Sequence, residues 1–314
     1  VIAGPTGSGK SRLAVAVAQR LGGEVVGCDA LQVYRGFDAA TAKPSVEDRR
    51  AVRHWLVDVA DPRTDYSLAR FIEDADRAIA DISGRGLVPV IAGGTGMYLR
   101  GLLKGIVPAP ARDAALRDRL RGLVARYGSK RLHRFLRRVD AASAARVPPE
   151  DTQRIVRALE LALASDTTWS AALSRHGTWE EAGDRYAALK VGIDLDRELL
   201  SARLSRRVDA FFSAGLLDEV RSLLAQGVPP TANAFKGIGY RQALRALDGP
   251  SDPVRLREEI VVATRQYAKR QRTWFRKEPG MTWLDGGADV DALTAHVAAM
   301  WTAAGVSGGA GSPC

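Results

Sequence analysis

The sequence predicts an α/β fold: a P-loop-type, doubly wound parallel sheet core with an all-helical insertion domain. Three observations carry that reading. Residues 4–11 read GPTGSGKS, the GxxxxGK[ST] pattern in which a glycine-rich turn between strand and helix wraps phosphate with backbone N–H groups. Short apolar runs alternate with amphipathic stretches through the first 110 residues, as where parallel strands are joined by crossover helices. From about Pro110 to residue 186 the strand signal disappears and Arg- and Ala-rich helical stretches replace it.

Taken in order, residues 1–3 end a strand, and a P-loop ordinarily follows a full buried strand, so a few residues are expected to precede Val1. Lys10–Leu21 spaces Leu13, Val15, Ala16, Val17 and Leu21 as a helix packed on a sheet does. Residues 23–28 (GEVVGC) and 55–59 are strands, and Ser67 is a natural N-cap for a helix to Ile82, with Gly84 beyond its end. The run LVPVIA at 87–92 is continuously apolar, the mark of a strand buried on both faces of a parallel sheet. Residues 112–186 hold two or three helical stretches broken at Gly128 and at Pro148-Pro149. LKVGIDL at 189–195 returns the chain to the sheet, in which the 24–28 strand is expected next to the P-loop strand. Helical stretches follow around 197–226, 238–247 and 253–277, then a strand at Met281–Leu284 and a last helix from about Val290. The organisation is thus a first core part at 1–111, an insertion at 112–186, core completion at 187–304, and an unstructured Gly/Ser tail at 305–314.

Composition narrows the function. The chain has 314 residues, 46% of them hydrophobic, enough for a sizeable core. No apolar run is long enough to span a membrane, and no charged-then-apolar leader opens the chain. Two cysteines, Cys28 and Cys314, exclude a disulfide framework or a cysteine zinc site, and a reducing cytoplasm is expected. His54 and His133 have no ligand-spaced partner and read as structural. The net charge of +10 favours a polyanionic partner.

The P-loop residues Gly4, Pro5, Thr6, Gly7, Ser8, Gly9, Lys10 and Ser11 define a phosphate site. Lys10 reaches outer phosphates and the Ser11 hydroxyl is placed to ligate Mg²⁺. An NTP hydrolase or kinase needs a second strand ending in a Mg²⁺-holding acid. The strand at 87–92 ends instead in GGTGMY, which offers amides and the Thr95 hydroxyl but no carboxylate. Asp58, in the 55–59 strand, leads into Ala-Asp-Pro rather than a catalytic loop. Asp29, at the carboxyl end of the 23–28 strand, suits either a general base or Mg²⁺ ligand over the phosphates, or a helix N-cap. Arg203 and Arg207, at i and i+4, are spaced to clamp a pyrophosphate or to pair with neighbouring acids. Arg265, Lys269, Arg272 and Arg276 form a cationic stripe on one helical face, with Tyr267 and Trp274 on another. Arg154 and Arg157 share a side of a helix in the insertion.

Together these stretches resemble the tRNA dimethylallyltransferase (tRNA isopentenyltransferase) family. The resemblance rests on GPTGSGKS, CDALQVYRGFDAATAKP, DVADP…YSLARF, VIAGGTGMYLRGLL, DTQRIVRALE, RLSRRVDAFFSAGLLDEV, FKGIGYRQAL and TRQYAKRQRTWFRK, in family order from residue 1 to about 285. It implies transfer of a dimethylallyl group from dimethylallyl diphosphate to N6 of adenosine 37, in the anticodon stem-loop of tRNA. On that resemblance the P-loop holds the donor's diphosphate rather than ATP, which agrees with the missing second acid. Asp29 would be the general base and Thr95 a contact near the reacting groups. Asp29, Ala30, Leu31 and Gln32 would touch tRNA, as would Gln153, Arg154 and Arg157 and, at 236–241, Lys236, Gly239, Tyr240 and Arg241. Lys269 and Arg272 of the stripe would grip RNA phosphates. Mg²⁺ is the implied cofactor, and a monomer suffices.

Three other readings compete. A P-loop small-molecule kinase explains the first 30 residues but leaves the insertion and the basic helices idle. An adenylate isopentenyltransferase keeps the chemistry but has no use for a macromolecular footprint. A non-enzymatic RNA-binding protein would be indifferent to loss of Asp29.

Overall fold

The computed structural model describes residues 1–107, 113–177, 179, 181–249 and 252–305 of the chain. The expected tail from residue 306 onward and the 111/112 boundary lie outside the described residues. The chain forms two compact units, one of residues 1–103 with 184–314 and one of residues 104–183.

The first unit is built on six parallel strands: β1 (Ile2–Ala3), β2 (Gly23–Cys28), β3 (His54–Trp55), β4 (Val88–Gly93), β5 (Lys190–Asp194) and β6 (Met281–Asp285), in the order β3-β2-β4-β1-β5-β6. The 24–28 strand is therefore not beside the P-loop strand as expected; β4 lies between them. The third strand is also shorter than expected. Leu56 and Asp58 take positive φ (62° and 58°), which ends the extended run after Trp55. Val25 and Val26 of β2 stand opposite Val90 and Ile91 of β4. These side chains are buried, which is why both strands read as unbroken apolar runs.

The chain winds to one side of β1 for β2–β4 and to the other for β5 and β6. The carboxyl end of β1, where the P-loop begins, is thus the switch point of the sheet, the usual ligand position in such folds. Helix α1 (Lys10–Leu21) follows the loop, with α2 (Val46–Ala51), α3 (Leu68–Gly84) and α4 (Gly96–Lys104) between the strands. Ser45 starts α2 with a capping box and Ser67 caps α3. Leu13, Val17, Val25, Val90, Val191 and Ile193 form the core under the sheet.

The rest of this unit is helical: α10 (Arg197–Ser213), α11 (Leu216–Ala225), a 3₁₀ turn at Asn233–Lys236, α12 (Tyr240–Leu247), α13 (Pro253–Phe275) and, last, α14 (Val290–Ala303). A second core joins α10–α13 to the segment after β2, with Phe37 wholly buried against Phe235 and Tyr240 at 5.0 and 4.8 Å. Fully burying a side chain such as Phe37 stabilises by roughly 1.5–3 kcal/mol. That anchors the 29–44 segment to helices almost two hundred residues downstream.

The second unit contains five helices rather than two or three: α5 (Ala114–Tyr127), α6 (Ser129–Val139), α7 (Ala141–Arg146), α8 (Thr152–Ala164) and α9 (Trp169–His176). Asp140 and Thr168 supply the caps that divide the extra helices, at α7 and α9. Leu120, Leu132, Leu136, Ile155 and Leu159 make its core. Beneath them the buried Glu160 carboxylate accepts from Arg117 Nη2 (2.5 Å), Arg157 Nη1 (2.9 Å) and the Asp113 amide (3.1 Å). Burial alone would raise this carboxyl, but the hydrogen bonds and charges of Arg117 and Arg157 outweigh it, and the net direction is down.

A depressed folded-state carboxyl contributes fully above its unfolded pKa, about 4.3, and the contribution is lost as pH falls through the lower folded value. Hydrogen exchange corrected for intrinsic rates should therefore show protection of α8 falling below about pH 4. Glu160→Ala, which strands two arginines, should cost about 3 kcal/mol and raise α8 exchange on the order of a hundredfold. Glu160→Gln should lower protection less and remove the acid step.

Candidate functional site

At the end of β1 the chain turns through residues 4–9 into α1. Gly9, the residue before α1, has φ 98°, a left-handed backbone that favours glycine. The amides of Gly7, Gly9, Lys10 and Ser11 have no acceptor among the described residues, whereas Ser8 N–H donates to Pro5 O (3.2 Å) and Thr6 N–H to Gln271 Oε1 (2.8 Å). The cradle thus offers four amides at a helix N-terminus, a geometry suited to anions, and Thr6 contributes its fold rather than its N–H. Ser8 is buried with its Oγ unpartnered. Ser11 is exposed at the lip.

Cations crowd this mouth. Arg203 reaches the P-loop, its Nη1 3.8 Å from where a side chain on Gly9 would begin. Burial first, and then the charge of Arg207, lower the Lys10 amine from 10.5 to about 8 against the opposing effects of Asp29 and Cys28. The Arg207 guanidinium is likewise lowered by burial and supported by Asp29. Arg203 and Arg207 thus act on the loop and its lysine, as a clamp on diphosphate would require. Neither forms a salt bridge with a described acid.

The Asp29 carboxylate is half engaged by its own turn. Its Oδ1 accepts from Leu31 N–H (2.9 Å) and Gln32 N–H (3.3 Å), capping a turn rather than a helix. Its Oδ2 has no hydrogen-bond partner among the described residues, and the charge of the carboxylate acts on both Lys10 and Arg207. Thr95 follows β4 and closes the other wall: its Oγ1 accepts from Ala30 N–H (3.1 Å), and its N–H donates to Cys28 O (3.3 Å). The Tyr267 hydroxyl, hydrogen-bonded to the Thr95 side chain, is pushed up by burial and by the Asp29 charge. Burial pushes the Cys28 thiol up too, which leaves it inert.

The expected RNA-contacting residues divide. Gln153, Arg154, Lys236, Arg241 and Lys269 expose their side chains. Ala30, Leu31 and Gln32 are partly buried, and Gln32 Nε2 is held by Thr41 O (3.1 Å) and Ala42 O (2.8 Å). Direct contact is corrected for Tyr240 and Gly239. Tyr240 is wholly buried; its hydroxyl donates to Glu219 Oε1 (2.6 Å) and accepts from Ala40 N–H (3.1 Å). Gly239, buried at φ 91°, leaves no room for a side chain beside Ala40. The cationic stripe is corrected as well, because Arg272 pairs with Asp194 (2.6 Å) and Leu195 O, and Arg276 with Asp194 (3.1 Å). Arg157 is committed to Glu160.

Several residues of the site escaped the sequence reading. Gln271 bridges the P-loop to the turn after β4. Lys43, its side chain 5% exposed, binds Asp58 (2.5 Å), Asp38 (2.6 Å) and Tyr34 O (2.7 Å), and so fixes the 29–44 segment. That engagement disposes of Asp58 as a metal ligand. Glu219 receives the amides of Asp38 and Ala39. His133 Nε2 lies against Ala144 O and Val147 O, a structural role. No cluster of three or more metal-ligating side chains occurs among the described residues, and no described helix is long and apolar enough to cross a membrane.

Comparison with known proteins gives a consistent picture. The family model described as IPP transferase matches residues 32–278, and that described as Isopentenyl transferase matches residues 1–61. A tRNA dimethylallyltransferase of Anaeromyxobacter sp. (strain Fw109-5) is 47% identical over 300 residues, covering 95% of this chain and 97% of that protein. One from Geobacter metallireducens is 44% identical, covering 95% of each. Among solved structures, the tRNA isopentenylpyrophosphate transferase of Bacillus halodurans superposes with a TM-score of 0.69 at 33% identity, over 96% of this chain and 95% of that one. A eukaryotic dimethylallyltransferase acting on tRNA gives a TM-score of 0.79 at 27% identity, over 96% of this chain and 77% of that one.

The charge crowding at Lys10 gives a test. Below about pH 8 the amine is protonated and attracts an anion; above it the attraction is lost. Calorimetric affinity for inorganic diphosphate should weaken as pH rises through that value. Lys10→Arg, which stays charged, should remove the step, and Arg207→Ala should move it upward.

Proposed function

Because this chain belongs to the IPP transferase family, we propose that its P-loop holds the diphosphate of a dimethylallyl donor while Asp29 takes a proton from N6 of adenosine 37 in the anticodon stem-loop of tRNA. The chain is a prenyltransferase that acts on tRNA. The observation that carries the assignment of roles is the Asp29 carboxylate, with one oxygen fixed by its turn, the other without a hydrogen-bond partner among the described residues, and its charge acting on Lys10 and Arg207.

The reaction balances within that arrangement. The adenine nitrogen attacks the allylic carbon, the carbon–oxygen bond breaks, and its electron pair leaves on the diphosphate. The N6 proton passes to Asp29. An exocyclic amine is a weak nucleophile, and general-base help is worth roughly 10²–10⁴-fold. The larger charge grows on the leaving group, where four amides, Lys10, Arg203 and Arg207 face it. A loop base is already partly unstacked, which lowers the cost of bringing it to Asp29.

Mg²⁺ suits the same site. This ion keeps most of its waters and binds through few protein oxygens plus substrate phosphates, and the exposed Ser11 hydroxyl is such a donor. When bound, the ion would neutralise charge on the diphosphate. Lys236, Arg241, Lys269, Gln153 and Arg154 are the side chains proposed to meet RNA, the cytoplasm the place of action, and a monomer the working form.

Mass analysis of nucleosides from unmodified tRNA, after incubation with dimethylallyl diphosphate and Mg²⁺, should show prenylated adenosine at position 37. Asp29→Asn should lower the rate by roughly 10²–10⁴-fold with tRNA affinity nearly unchanged. Equal prenylation of AMP would refute the tRNA acceptor, and brisk ATP hydrolysis without transfer would refute the chemistry.

A further inference from the structure

Helix α13 turns one face toward the P-loop, and on it sits a buried amide. Gln271 is 6% exposed in a stripe otherwise made of Ile260, Thr264, Ala268 and Phe275. Its Oε1 accepts from the Thr6 N–H of the P-loop at 2.8 Å, and its Nε2 donates to Gly94 O, in the turn after β4, at 2.8 Å. One acceptor and one donor are met by one donor and one acceptor, so only one orientation of the amide fits. The approach is close enough that a side chain on Gly94 would begin 2.3 Å from Nε2.

The bonds on either side continue this bridge. Thr95 follows Gly94 and accepts from Ala30 N–H, and Ala30 follows Asp29. A connected path therefore runs from Thr6 through Gln271, Gly94, Thr95 and Ala30 to the carboxylate. Its two ends are the loop that holds the leaving group and the acid that receives the proton. No other side chain among the described residues hydrogen-bonds both the P-loop and the turn after β4.

We propose that Gln271 is a positioning residue, a strut that sets the separation between the diphosphate cradle and the Thr95–Asp29 wall. The inference rests on the prenyl-transfer reading given above. Gln271 acts through Thr6 and Gly94 and touches neither reactant. Without it, the Thr6 amide and the Gly94 carbonyl face each other's loops unpaired in a buried place, a cost each loop relieves by moving apart. Displacements near 1 Å at reacting groups cost about a hundredfold in rate. The burden therefore falls on the chemical step, since each half of the site keeps its own binding groups.

Two variants test this, with the wild-type enzyme assayed alongside on donor and tRNA. Gln271→Leu should lower kcat about a hundredfold, with KM for dimethylallyl diphosphate and for tRNA within about threefold of wild type. Gln271→Glu can still accept from Thr6 but offers Gly94 a hydrogen only when protonated. Its kcat, taken as a ratio to wild type at each pH, should rise as pH falls from about 8.5 to 6, because burial beside a carbonyl raises a carboxyl pKa. The ratio cancels pH effects common to both enzymes. Thermal melting identifies a Leu variant that fails to fold, in which case the Glu ratio decides alone. An unchanged kcat in the Leu variant, a loss lying wholly in KM, or a flat Glu ratio would overturn the strut. Absence of transfer by the wild-type enzyme would instead overturn the prenyl-transfer reading.

Discussion

Lys10, Arg203 and Arg207 converge on the P-loop with Asp29 as the carboxylate beside them, and much of the first unit serves to hold that positive excess in place. Like charges so close raise one another's energy. The lowering of Lys10 to about 8 measures this crowding together with the loss of water around the amine. Left on flexible side chains, these groups would spread into solvent. They stay because the backbone beneath them is packed: Leu200 and Leu204 of α10 lie against the P-loop at Gly7, and Val208 and Phe211 sink into the helical core. An arriving diphosphate meets charge already gathered and relieves repulsion that packing sustains. Such preorganisation is what makes electrostatic stabilisation of a leaving group effective.

The framework of the fold was legible because its signals are local. The P-loop pattern, the paired apolar runs of β2 and β4 and the cap at Ser67 each lie within a few residues. Strand order was not local. Nothing within residues 23–28 says that β4, sixty residues on, will separate them from β1. The third strand was overread because WLVDV at 55–59 looks extended, whereas tertiary bonds to Asp58 from Lys43 and Arg49 hold it at positive φ. Within the second unit, the breaks at Asp140 and Ser165–Thr168 carry no proline or glycine, so five helices read as fewer.

Of the candidate site, the residues with a motif were found and those defined by a partner were not. The P-loop, Asp29 and the Arg203/Arg207 pair each carry a pattern. The stripe on α13 looked like an RNA-facing surface because spacing along a helix says which residues share a side, not what lies opposite. Asp194, at the end of β5, answers Arg272 and Arg276. A signal for Gln271 did exist: in the buried 260–264–268–271–275 series Thr264 satisfies its hydroxyl on Ile260 O of its own helix, whereas the amide of Gln271 finds no partner there. A glutamine in such a stripe needs two partners, and here both are main-chain groups of loops.

The burial of Tyr240, Gln32 and Lys43 changes how the 29–44 segment works rather than whether it matters. Tyr240 and Glu219 together fix the backbone of residues 38–40, Gln32 holds the carbonyls of Thr41 and Ala42, and Lys43 returns to Tyr34 and Asp58. Ala42 sits at φ 47°, strain that persists only where surrounding bonds outweigh it. A segment tied at so many points has one shape. Asp29 stands at its start, with Oδ1 tied to the Leu31 and Gln32 amides. A general base on a mobile loop would lose most of its advantage to orientation. These polar residues shape the segment that begins at Asp29, the proposed general base, and that shaping is their contribution to the site.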